Sequence, residues 1–175
     1  MATHTIILPV GAAILPDGSA SNAAPAIQRV KSSAGAPTPY LLQAAFDADT
    51  DEMMMWAFRM PGNYVSTPAL TVLYKMASAT TGAVRFEGRI AAVTSGDAED
   101  VDAVAFGSTN SAGDTVPGTA GYLGDFSITL TNADSLAAGD FVVVWLNRDA
   151  DGTTGTDDAT GDCEVVAVAL TYADA

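Results

Sequence analysis

The residues best suited to chemistry are the carboxylates of one polar segment near the C terminus. Asp149-Ala-Asp151-Gly is followed, after Thr-Thr-Gly-Thr, by two adjacent aspartates. Calcium binds carboxylates and backbone carbonyls gathered on a flexible loop, so this segment is a candidate calcium site. It departs from an EF-hand, because glycine comes too early and no glutamate closes the loop. A simple polar connection between two strands stays open as the alternative. The candidate ligands are Asp149, Asp151, Asp157 and Asp158.

Nucleophilic catalysis has little support in the sequence. Ser-His-Asp and Cys-His arrangements need an imidazole beside the nucleophile, and the only histidine is His4, close to the N terminus. The only cysteine, Cys163, has no partner for an intrachain disulfide and begins a predicted strand, which favours a packed side chain over a nucleophile. We therefore expect no enzyme activity. The many carboxylates leave a glycosidase open by residue type alone.

Aromatic side chains could form a different kind of site. Tyr64, Tyr122 and Tyr172 lie in or near predicted loops and strand ends. Sugars stack on exposed rings, so a receptor- or glycan-binding module is the alternative function that these residues suggest. Packing and interface roles are the other interpretation of scattered tyrosines.

Charge narrows the possible partners. The chain carries 21 acidic and 7 basic residues, for a net charge of -14. Such a surface repels phosphate backbones and anionic lipids, so we expect no nucleic-acid or membrane partner. No segment reaches the length of a membrane span, and the apolar start lacks the basic residues of a signal peptide.

Alternating apolar and polar residues predict the elements that position these groups. From Tyr40 onward the chain shows eight segments with strand-like patterns, separated by polar turns and without a long helix. We predict an all-β fold over 40–175, an eight-stranded antiparallel sandwich of two sheets with a jelly roll as first choice. An immunoglobulin-like sandwich is second, because its Cys-Trp-Cys framework is absent. The segment FVVVWL, Phe141 to Leu146, is apolar on both faces and needs cover on both.

Two connections carry predictions of their own. The stretch NADSLAAGD is predicted to form one helical turn, with Asp134 as N-cap and Gly139 as terminator. The stretch STNSAGDTVPGTAG is predicted to be a long surface connection, preceded by a short strand around Ala105.

Residues 1–39 are interpreted as an extended N-terminal arm. They are rich in proline and small residues and cannot build a core of their own. Exposed apolar residues would be a liability in a free tail, so we expect them to bind a partner, with a strand on the arm's own domain as the alternative. The predicted partner-binding residues are Ile6, Ile7, Leu8, Val10, Ile14 and Leu15.

Three segments carry a resemblance to a known family: WAFRMPGNY, TLTNADSLAAGDFVVVWLNRDA and the closing strand VVAVALTY. Together they resemble jelly-roll virion proteins of tailed bacteriophages, most closely capsid decoration (cement) proteins. The resemblance implies a non-enzymatic homotrimer on the head surface of a virion, assembled in the host cytoplasm. Its partner would be the major capsid protein of the phage head, which the protein would stabilise.

The arm has a predicted mechanical role in such a particle. Arms would pair with neighbouring subunits and bridge them, with Arg29 and Lys31 against an acidic shell. Deleting residues 2–20 is then expected to abolish particle binding and to leave the sandwich folded.

Overall fold

The computed structural model describes residues 1–19 and 22–174, which form ten strands and two single 3-10 turns, Val10–Ala12 and Val101–Ala103. Within these ranges no helix is long and apolar enough to cross a membrane. The strands are β1 (Thr3–Leu8), β2 (Ala26–Lys31), β3 (Tyr40–Phe46), β4 (Glu52–Arg59), β5 (Tyr64–Met76), β6 (Ala83–Val93), β7 (Asn110–Thr115), β8 (Gly124–Thr129), β9 (Phe141–Arg148) and β10 (Cys163–Asp174).

The strands form two antiparallel sheets that pack into a sandwich. The first sheet has the order β2-β3-β10-β5-β8, with β1 also on β10, and the second has the order β4-β9-β6-β7. Numbered from β3, the eight strands β3 to β10 run 1-8-3-6 in one sheet and 2-7-4-5 in the other, which is the order of a jelly roll. The predicted jelly-roll sandwich is therefore confirmed, and β1 and β2 raise the strand count to ten.

The core lies between the sheets and follows the period-two pattern of the sequence. Burying these apolar surfaces drives folding, at roughly 25 cal/mol per Å². Aromatic rings meet at its centre, with Phe86 in contact with Phe46 and with Phe126 at centroid distances of 5.3 and 5.5 Å. Buried residues that alternate along the strands include Met54, Trp56, Leu70, Val72, Tyr74, Val84, Ile90, Ile128 and Leu130.

The doubly apolar segment FVVVWL lies in β9, at the interior of the second sheet between β4 and β6. Val142, Val144 and Leu146 point into the core and are fully buried. The alternate residues therefore line the outer face of the sheet, where the chain between β6 and β7 partly covers them. This segment lies across the sandwich from β10, which belongs to the other sheet.

Residues 1–19, the first half of the predicted arm, do not extend away from the sandwich. Strand β1 pairs with β10 from Thr3 to Leu8, and the side chains of Leu8 and Val10 lie in the core with 2% and 5% exposure. Beyond the first 3-10 turn, Ile14 bridges to Met55, so this segment covers part of the free edge of β4.

The structure thus divides the predicted partner-binding residues. Leu8 and Val10 are unavailable to a partner because they fill the protein's own core, and Ile6 packs partly against that core. Partner binding stays a prediction for Ile7, Ile14 and Leu15, which are exposed.

Two local predictions are wrong. The connection after Gly107 contains strand β7, while the residues around Ala105 form no strand. The stretch before β9 forms no helical turn. Its residues Asp134 and Ser135 have positive φ angles of 52° and 55°, which a right-handed helix does not allow. The Asp134 carboxylate accepts a hydrogen bond from Ala92 N at 2.9 Å, which ties this turn to β6.

Candidate functional site

The outer face of the second sheet carries a groove of about 410 Å³. Strand register builds its floor, because Glu87 and Asn147 are cross-strand partners, as are Arg89 and Trp145 one pleat further along. Side chains that share one face of neighbouring strands lie close together, so these four groups form one surface. The groove is lined by Asn22, Asp51, Met53, Glu87, Arg89, Phe106, Trp145 and Asn147.

A loop folded over the sheet forms one wall of the groove. Residues 94–109 leave β6 and turn back, and Gly107 N donates to Ile90 O at 2.9 Å. A side chain at Gly107 would come within 3.1 Å of the Asn132 carbonyl oxygen, so glycine permits this close approach. The loop places the Phe106 ring 6.3 Å from that of Trp145.

Trp145 anchors the centre of the groove. The Arg89 guanidinium lies over its indole, 4.9 Å from the ring centroid, in a cation–π contact. The indole Nε1 donates to the Met53 sulfur at 2.9 Å. Trp145 is therefore held rigidly, and only 6% of its surface is exposed.

Two buried polar atoms at the groove have no hydrogen-bond partner among the described residues. One is a donor, Arg89 Nε, and the other is an acceptor, Asn147 Oδ1. The opposite end of the Asn147 amide donates from Nδ2 to Glu87 Oε2 at 3.3 Å, which orients the free oxygen. Buried polar groups are almost always paired, so an unpaired donor and acceptor in one groove indicate a place for a polar ligand.

Glu87 sits in an electrostatically unfavourable place. Burial is the largest cause that raises the pKa of its carboxyl group, and the negative charge of Asp149 raises it further. The charge of Arg89 and the hydrogen bond from Asn147 oppose this rise without cancelling it. Keeping Glu87 ionised in this groove costs stability, which is common for groups that serve a function.

Replacing Glu87 with glutamine is expected to raise the melting temperature near pH 7 by roughly 2–4 °C. A carboxyl group whose folded-state pKa is raised stabilises the protein only while protonated, so its contribution falls as pH rises through the folded-state pKa. Glutamine removes this cost, and the gain should vanish below the pKa of the unfolded state. Calorimetric melts near pH 7 and at a pH below the pKa of the unfolded state test this, with Glu99→Gln at an exposed position as the control. An equal change at both pH values would contradict the electrostatic explanation.

One of the predicted calcium ligands, Asp157, is held in a buried ion pair. Arg148 is fully buried and donates from Nε and Nη2 to the two oxygens of Asp157, at 3.0 and 2.7 Å. The same guanidinium donates to the carbonyl oxygens of Phe46, Ala159 and Gly161. Both oxygens of Asp157 are therefore engaged by arginine, which removes Asp157 from the free ligand set.

The predicted ligands Asp149 and Asp158 bind different parts of the chain. Asp149 accepts hydrogen bonds from the backbone N–H and hydroxyl groups of both Thr153 and Thr154. Burial raises the pKa of Asp149, but these four bonds outweigh it and the pKa lies below its ordinary value. Asp158 instead accepts from Ala83 N at 2.7 Å.

The carboxylates that do come together are Asp51, Asp149 and Asp151, whose oxygens lie within 4.8 Å of one another. Asp51, which the sequence did not suggest, accepts from Ala150 N and Asp151 N. The four predicted ligands therefore do not form one site, and calcium binding stays a prediction for this smaller group.

Two of the three tyrosines considered for a sugar platform are packing residues, which was the other interpretation of the sequence. Tyr64 and Tyr172 are buried and their rings are in contact at 5.8 Å, because both face the interior. Tyr122 alone is exposed, at 66%, on the turn before β8.

The two residues considered for nucleophilic chemistry have structural surroundings. His4 stacks on Tyr172 at 5.3 Å, and its Nε2 lies 2.6 Å from an Asp174 carboxylate oxygen, which joins the ends of β1 and β10. Cys163 is fully buried, and burial raises the pKa of its thiol well above the ordinary value. The interpretation of Cys163 as a packed residue is confirmed.

Some of the residues that line the groove could be identified from sequence patterns. Alternation placed Glu87 and Arg89 on the outward side of a strand, and the second apolar face of FVVVWL already contained Trp145. Phe106 and Asn22 had no such signal, because they reach the groove through connections that follow no regular period.

No family model matches this chain, and no curated protein matches it. It is similar to the solved C-terminal CBM6 of LamC, a marine laminarinase from Zobellia galactanivorans, with 13% identity over 97% of this chain and 100% of that one, at a TM-score of 0.45. A second structure is CBM27-1 of Caldicellulosiruptor saccharolyticus in complex with mannohexaose, with 9% identity, 98% and 99% coverage and a TM-score of 0.41. A third is the family 11 carbohydrate-binding module of the Clostridium thermocellum cellulase Lic26A-Cel5E, with 8% identity, 99% and 89% coverage and a TM-score of 0.41.

These likenesses, all with TM-scores below 0.5, define neither a family nor a ligand for this chain. None of the three structures is a phage capsid protein, so the resemblance to decoration proteins gains no support from them. The capsid partner, the homotrimer, the virion location and the lack of enzyme activity stay predictions.

Proposed function

We propose that this chain is a binding module that holds a neutral glycan in the groove on the outer face of the second sheet. The observation that carries the proposal is the unpaired donor Arg89 Nε in the same groove as the unpaired acceptor Asn147 Oδ1. A sugar hydroxyl both donates and accepts, so neighbouring hydroxyls of one ring can satisfy both atoms. Each buried polar atom left unpaired costs about 1–3 kcal/mol, which binding would recover.

The aromatic side chains supply the apolar part of such a site. Phe106 and Trp145 line the same groove as the polar atoms, and the C–H surfaces of a sugar ring pack against aromatic rings. Ligand sites commonly combine an apolar lining with a few fixed polar groups, in volumes of about 300–1,000 Å³. The groove, at about 410 Å³, is of that kind.

Local charge selects an uncharged ligand. Asp51 and Glu87 line the groove, and the charge of Asp149 is felt at Glu87. The only cation in the lining, Arg89, already lies against Trp145 at 4.9 Å. With a net charge of -14 on the whole chain, sulfated or carboxylated glycans are repelled.

The groove is tested by binding to an array of neutral and acidic glycans, followed by calorimetry on the neutral ligands found. Trp145→Ala is expected to weaken binding by about 30-fold, the loss typical of a central aromatic contact. Phe141→Ala is the matched control, since Phe141 lies on the same face of β9 but outside the groove lining. Its binding should be unchanged, with folding of both variants checked by circular dichroism.

A second variant separates polar recognition from aromatic packing. Asn147→Leu keeps the side-chain size and removes the unpaired acceptor, so binding should weaken by roughly tenfold. Absence of binding to every neutral glycan, or equal losses in the Trp145 and Phe141 variants, would contradict the proposal. Preference for acidic glycans would contradict its electrostatic part.

A further inference from the structure

Strands β2 and β3 extend beyond the sandwich as a two-stranded ribbon, residues 26–42. Strand β3 pairs with β10 only from Ala44 to Phe46, and β1 takes over the same edge of β10 from Leu8 onward. No residue of the ribbon is buried. An isolated pair of strands is only marginally stable in water. We therefore expect this ribbon to pack against a partner surface.

The ribbon exposes apolar side chains on one defined face. Cross-strand register places Ile27 opposite the core residue Ala44, and Arg29 opposite Leu42. This face therefore continues the core-facing side of the first sheet. Its residues Ile27, Leu42 and Tyr40 are 38%, 45% and 59% exposed. A cluster of exposed apolar side chains commonly marks an interaction site.

The same face also carries positive charge. Two of the seven basic residues, Arg29 and Lys31, lie in the ribbon, which contains no acidic residue. Neither forms an ion pair within residues 1–19 and 22–174. In contrast, Lys75 pairs with Glu164 and Arg148 pairs with Asp157. A surface that complements the ribbon would therefore be acidic and would also expose apolar side chains.

We propose that the ribbon binds the acidic surface of a second copy of this chain. All 21 acidic residues lie outside the ribbon, and Asp49, Asp151 and Asp158 are exposed beside the end of β3. The turn of the ribbon is at the opposite end of β3, about 20 Å away along the strand. Arg29 and Lys31 lie opposite Leu42 and Tyr40, toward that turn, and pair with no described acidic residue of their own chain, while a neighbouring copy presents the same loops to them.

This contact is argued from the ribbon alone and does not rest on the phage resemblance. It joins two unlike surfaces, so it generates head-to-tail chains or closed rings, of which a trimer is one case, instead of closed pairs. It depends on opposite charges near water, so it should weaken as salt screens them over about 10 Å at 0.1 M. It does not involve the groove on the second sheet and stands independently of the proposed glycan binding.

The test is sedimentation velocity of the full chain over a range of micromolar concentrations, at about 20 mM and about 500 mM NaCl. Wild type should associate at low salt and dissociate at high salt. Arg29→Ser with Lys31→Ser should weaken association by about tenfold or more. Thr119→Glu with Thr129→Glu changes the net charge by the same amount at exposed sites outside the ribbon and should associate like wild type.

A third variant tests the apolar part of the surface. Tyr40→Ser should weaken association at low salt without changing the net charge, because it removes packing instead of charge. A wild-type protein that stays monomeric at low salt overturns the proposal. Equal losses in the ribbon variant and its charge-matched control also overturn it, since general repulsion would then explain both. Circular dichroism melts confirm that every variant is folded.

Discussion

Replacement of Arg148 by methionine is expected to destabilise the fold by about 3–5 kcal/mol, the usual cost of removing one partner of a buried ion pair. The carboxylate of Asp157 would be left buried without its cation, and the carbonyl groups of Phe46, Ala159 and Gly161 would lose their donor. A loss this large approaches the whole stability of many domains. Lysine should not rescue it, because one ammonium group cannot reproduce the bidentate geometry.

The measurement is urea unfolding followed by tryptophan fluorescence, with Arg59→Met as the control. Arg59 is exposed and donates one hydrogen bond, to Gly139 O, so its replacement should cost about 1 kcal/mol or less. If both variants unfolded at the same urea concentration, the buried pair would not organise the loop between β9 and β10.

Leu8→Ala is the second large expected effect, at about 2–5 kcal/mol. Leu8 is 2% exposed in the core, although it lies in the segment that the sequence suggested was an arm. Its neighbour Ile7 is 68% exposed on the other face of β1, so Ile7→Ala should cost less than about 0.5 kcal/mol. Two adjacent apolar residues on one strand thus make a matched pair, compared by thermal and urea unfolding.

The arm hypothesis predicts that deleting residues 2–20 leaves the sandwich folded. In the structure, β1 forms a continuous ladder with β10 and its end enters the core. Removing it would expose the edge of β10 and open the interior. Equal, small effects of Leu8→Ala and Ile7→Ala would restore the view of β1 as a detachable arm.

Sequence patterns predicted most of the sandwich because strand alternation is a local property. Met54 and Trp56, or Leu70 and Val72, must face one side of a strand whatever that strand pairs with. Strand β7 was missed because its sequence, NSAGDT, has no apolar alternation and resembles a loop. It is a strand because the edge of β6 supplies hydrogen-bond partners for its backbone.

The candidate groove was only partly predictable for a related reason. Alternation identified Glu87 and Arg89 as outward-facing, but it could not show that Asn147 and Trp145 lie beside them. That neighbourhood depends on the register between β6 and β9, which are separated by a long stretch of chain. Tertiary contacts alone also bring Phe106 over Trp145.

The sequence by itself determined that this chain forms an all-β sandwich with an acidic surface, since alternation, turn residues and net charge are properties of short segments and of composition. Only the tertiary structure decided what the special segments do. Asp157, a candidate metal ligand from its sequence context, pairs with Arg148, and β1, within the segment predicted to be an arm, pairs with β10. Both outcomes depend on which distant segments meet, and in a sandwich those pairings are set by the packing of the whole core.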